Sequence, residues 1–104
     1  MAKYVCTTTM VDADIKKAYA ILKGEECNQM RVVVKARGRK HAEEICSANG
    51  LYVPFEPNYS SETGNVDEIA GCERSTSGII FSRICGYKDD IVTLEELREV
   101  IDAD

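Results

Sequence analysis

Apolar and polar residues alternate at the start of the chain, over residues 3–10. Tyr4, Cys6, Thr8 and Met10 fall on one side, and Val5, Thr7 and Thr9 on the other. A period of two predicts a β-strand. The period then changes: Ile15, Ala18, Tyr19 and Leu22 stand at i, i+3, i+4 and i+7, one stripe of a helix that Asp12 or Asp14 can cap and Gly24 ends. Over residues 30–37 alternation returns, with Met30, Val32, Val34 and Ala36 forming an apolar face and Arg31, Val33, Lys35 and Arg37 a mostly basic one. A tight turn at Gly38 leads into a helix over 39–48, which turns Ala42, Ile45 and Cys46 inward and stops at Asn49-Gly50. Residues 51–55 read as a short strand, and Pro54, which has no N–H to donate, restricts it to a sheet edge.

From 56 to 77 apolar periodicity is lost, apart from a helical turn at 66–70. These residues read as one long irregular loop, and loops of such length tend to carry function. Residues 79–85 form a strand and 86–90 a turn. The last helix has a clear beginning: Thr93 and Glu96 are spaced as a capping box and Val92 can staple against Leu97, ahead of a buried stripe of Leu94, Leu97, Val100 and Ile101. The order β-α-β-α-β, loop, β, α predicts a single domain over 1–104, of α/β or α+β class. It would be a two-layer sandwich with three helices packed on a four- to five-stranded mixed sheet, including at least one right-handed crossover.

Composition supports a packed core, since Leu, Ile, Val and Phe together supply 24 residues. No apolar run approaches the ~18 residues of a membrane span, and the opening residues lack the apolar segment of a signal peptide, so the expected location is the cytoplasm, away from membranes. Five cysteines are an odd number, with no C-x-x-C pair and none at metal-ligand spacing from His41, the one histidine. They are expected to be free thiols acting as small core residues, and no motif asks for a metal or a cofactor.

Charge changes the picture more. The net value is −5, but residues 1–52 carry nine Lys/Arg against six Asp/Glu, and residues 53–104 carry four against twelve. Opposed charge of this kind steers partners. In the basic half, Arg31, Lys35 and Arg37 lead to Arg39, Lys40 and His41 at a helix start. That start already carries partial positive charge and normally favours acids, so the cluster is a candidate anion or nucleic-acid site. It lacks the full Gly-x4-Gly-Lys-Ser/Thr frame of a nucleotide-binding loop. It also lacks the interleaved aromatics on which single strands stack.

Catalytic parts are few. His41 and Cys46 are five apart, about 140° round a helix, and do not face each other. In the acidic half, Glu95, Glu99 and Asp102 share one outer face of the last helix, and Asp102 stands at the end that disfavours carboxylates. The 58–65 stretch around Tyr59 has the Tyr/Ser/Gly/Asn chemistry of adaptable contact loops. These features point to a small non-enzymatic interaction or regulatory protein. It would bind a partner with a basic surface through Tyr59, Glu95, Glu99 and Asp102, acting as an inhibitor that occupies a basic nucleic-acid-binding surface. The alternative is direct nucleic-acid or phosphate binding through Arg31, Lys35, Arg37, Arg39, Lys40 and His41.

Overall fold

Strand β1 (Lys3–Met10) and strand β2 (Gln29–Ala36) form the centre of the sheet and pair antiparallel along their whole length, from Lys3 opposite Ala36 to Met10 opposite Gln29. Helix α1 (Ala13–Lys23) lies between them in sequence. It ends at Gly24, whose φ of 78° is left-handed and whose N–H closes on the Ala20 carbonyl. The α1 helix rises about 16 Å, and the five residues that follow it can span at most roughly 17 Å. The chain therefore returns to the end of the sheet it left, where Val11 N–H meets the Asn28 carbonyl at 3.2 Å. No crossover is needed, and β2 comes back antiparallel rather than parallel.

The computed structural model describes residues 3–84 and 88–103, and in these it holds an α+β fold of five strands and four α-helices. The remaining elements are α2 (Arg39–Ala48), β3 (Ser60–Ser61), α3 (Val66–Arg74), β4 (Ile79–Ser82), β5 (Val92–Thr93) and α4 (Leu94–Ala103). Strand order is β3-β1-β2-β4-β5, and every pairing is antiparallel, so the expected mixed sheet is corrected to an antiparallel one. Cys85 and Gly86, expected to end a strand and open a turn, lie outside the described residues, as does Asp104.

The three expected helices pack on one face. Met30, Val32, Val34 and Ala36 of β2, all buried, meet Tyr19 of α1, Ala42 and Cys46 of α2, and Leu94 and Leu97 of α4. Residues 51–55 do not pair as a strand. They run extended beside this core with Leu51, Val53 and Phe55 buried and Tyr52 out. The alternation is that of a strand, but the Leu51 N–H goes to the Cys46 carbonyl and the Phe55 N–H to the Glu43 carboxylate, leaving the edge to β3.

The opposite face holds the largest departure. The segment 56–77, expected to be irregular, contains β3 and a fourth helix, α3, which covers Cys6, Val33 and Ile80 with Cys72. Asn65 and Glu68 cap it reciprocally, at 2.8 and 3.1 Å. At Gly71 the helix comes so near the sheet that a Cβ would stand 2.8 Å from a methyl of Ile91. The capping box of α4 is present as expected, with Thr93 and Glu96 exchanging bonds of 3.1 Å, and Val92 and Leu97 buried in one cluster.

Candidate functional site

Three surfaces carry chemistry: the basic stretch 31–41, the outer face of α4, and a trough beside residues 50–56.

The basic stretch is divided by α3. Arg31 Nε pairs with the Glu68 carboxylate, whose side chain is only 3% exposed. Lys35 Nζ lies 3.1 Å from Glu73, whose other oxygen accepts from the Tyr4 hydroxyl. Those hydrogen bonds, first from Tyr4 and then from Lys35, hold the Glu73 carboxyl below its usual range. Two of the six expected anion ligands are thus committed to internal ion pairs. The β2 face read as mostly basic is a helix-covered surface on which Val33 is fully buried.

The remaining four residues sit at the start of α2. Arg37 and Lys40 are exposed. His41 turns Nδ1 back to accept the Arg37 N–H at 2.9 Å, so that side of the ring offers an anion no donor. Arg39 Nε is buried without a hydrogen-bond partner. The nearby Glu62 carboxyl is held below its usual range, chiefly by a hydrogen bond from Lys3 and more weakly by the Arg39 charge.

On α4, Glu95 does not face a partner. Its carboxylate gathers the Ser75-Thr76-Ser77 turn, accepting the Ser75 hydroxyl at 2.5 Å, the Ser77 hydroxyl at 2.7 Å and the Thr76 N–H at 3.2 Å. Burial alone would raise this carboxyl, but the bonds from Ser75 and Ser77 outweigh it and leave it below the usual range. Glu99 and Asp102 are exposed on the same outer face. Tyr59 is 72% exposed but lies elsewhere. Its carbonyl accepts from Thr7 beside β3 at one edge of the sheet, whereas α4 grows from β5 at the other. The expected joint surface of Tyr59 with α4 is not assembled.

The trough lies between α2 and the extended segment that follows it. It encloses about 540 Å³ and is lined by Glu43, Ser47, Gly50, Leu51, Tyr52, Val53, Pro54 and Glu56. Tyr52 is 90% exposed. Its outward position between the inward Leu51 and Val53 is the one sign of the trough that the sequence carries.

The buried thiols are not poised as nucleophiles. Burial, with the Glu43 charge, pushes Cys46 up to about 12, and burial pushes Cys72 up to about 12 and raises Cys6, which keeps each in the unreactive protonated form. Among the described residues Cys6, Cys27, Cys46 and Cys72 are free, and no group of three or more His, Cys, Asp or Glu is placed to hold a metal ion. Among the same residues no helix is long and apolar enough to cross a membrane. No protein-family model matches the chain, and no curated protein or solved structure shows significant similarity to it.

Proposed function

We propose that this is a small non-enzymatic binding protein that docks on a basic surface of a macromolecular partner through the outer face of α4, inhibiting that partner by occupying its nucleic-acid-binding surface. The observation that carries the reading is the division of labour on α4. Glu95 and Glu96 near its start have structural partners, while Glu99 in its middle and Asp102 in its last turn stand exposed, the latter where the helix dipole disfavours a carboxylate. Local stability does not ask for these two carboxylates, and a cationic partner does.

Reversal of both residues, Glu99→Lys with Asp102→Lys, tests it. Folding stability in urea should change by less than ~0.5 kcal/mol, as for exposed charges generally. A basic partner captured from the native host by the wild-type protein should be lost, with the association rate falling most at low salt. A partner retained unchanged by the double reversal would remove α4 from the interface.

A second reading, phosphate or nucleic-acid contact at the start of α2, is favoured by the unpartnered Arg39 Nε alone. Under it, wild-type protein should be retained on heparin at low salt and the pair Arg39→Glu, Lys40→Glu should not, with stability preserved because carboxylates suit a helix start. Absence of retention at 20–50 mM salt, about the range where phosphate contacts are strongest, ends that reading.

A further inference from the structure

We propose that the trough between α2 and residues 50–56 receives a lysine or arginine side chain from an extended segment of the partner. The inference rests on the reading that the partner is basic, and adds to it a specific receptor.

The floor of the trough is apolar, made by Leu51 and Val53, whose inward side chains leave only a thin accessible strip. Such a floor suits the methylene stem of a long cationic side chain, which buries its carbons and keeps its charged head at the surface. The rim supplies what that head needs. Glu43 and Glu56 bring carboxylates, and none of the lining residues is cationic. The Arg98 guanidinium stands beside Gly50 at one end of the trough, where it donates to the Asn49 carbonyl, and its single charge offsets only part of the two carboxylates. One Glu43 oxygen accepts the Phe55 N–H at 3.1 Å, which ties the carboxylate to the wall of the trough and lowers the ordering cost of a bound cation.

Tyr52 completes the site. Nine-tenths of its surface faces solvent, unusual for an aromatic, and the residue lines the same trough as Glu43 and Glu56. An aromatic face next to carboxylates is the arrangement that attracts ammonium and guanidinium groups. Residues 51–55 run beside the trough without belonging to the sheet, but Leu51 and Phe55 use their N–H groups within the protein, so the partner segment is held through its side chain.

The test is a titration of the isotope-labelled, intact protein with an end-blocked peptide of alternating Arg and Gly, followed through backbone amide signals. Saturable shifts are expected at residues 43–47 and 50–56. Affinity at these signals should fall roughly three- to tenfold in Tyr52→Ala, be restored in Tyr52→Phe, which keeps the ring, and fall again in Glu56→Gln. The Glu99→Lys, Asp102→Lys protein should keep the shifts at 50–56. If the peptide shifts only α4, the trough proposal fails while the proposed function stands. If it shifts neither surface, both fail. Indifference of the 50–56 shifts to Tyr52→Ala also overturns the proposal.

Discussion

Truncation of Leu97 to alanine is expected to cost about 2–5 kcal/mol, the range for removing a fully buried leucine and leaving a cavity. Leu97 has no exposed surface and lies in the same cluster as Tyr19, Val92 and Cys46. Helix α4 thus ties α1, α2 and the β5 edge into one core. A domain of this size has only about 5–15 kcal/mol of stability to lose, so the variant should unfold at much lower urea with an unchanged slope. A loss below 1 kcal/mol would show that α4 is an attached rather than integral element. The acidic surface on its outer side would then lack a rigid base.

The second large effect is expected at Arg31. Replacement by methionine keeps an unbranched, flexible stem but leaves the buried Glu68 carboxylate without its cation. Breaking one side of a buried pair costs about 3–5 kcal/mol, and because Arg31 is itself partly exposed the lower end, about 3 kcal/mol, applies. The double variant Arg31→Met, Glu68→Gln should regain much of this, since it removes the buried charge and keeps the side-chain acceptor for the Asn65 N–H. Amides of α3 should lose hydrogen-exchange protection more than those of α1. Equal stability of Arg31→Met and wild type would mean that the pair contributes nothing net. It would also return Arg31 to the candidate anion ligands.

These two positions also show what the sequence made legible. Leu97 belongs to an apolar stripe of period 3.6 behind a capping box, and both signals survive in the structure. The alternation of β1 and β2 likewise marked both strands to within a residue. Arg31 was misplaced because the helix that covers it reads in the sequence only as a turn at 66–70. The inward residues of α3 are Glu68, Gly71 and Cys72, while Val66, its first apolar residue, is 81% exposed. A carboxylate, a glycine and a thiol do not register as a hydrophobic stripe. The Asn65-x-x-Glu68 spacing was the signal that could have revealed the helix start. Sheet direction was not legible either, because the same β-α-β order serves a crossover or a wide hairpin that encloses a helix. As for the candidate site, the exposed status of Glu99 and Asp102 followed from helix geometry. The work done by Glu95 depended on a turn twenty residues away, which no local pattern encodes.

The close seating of α3 at Gly71 has a consequence for how the molecule reports on itself. With no room for even a methyl group between that helix and Ile91 at Gly71, the seated α3 leaves no gap there for a reagent to enter. Cys6 and Cys72, both sealed beneath it, are therefore native gauges of that seating: silent to thiol reagents while the helix is down, and chemically visible for whatever fraction of time it is up.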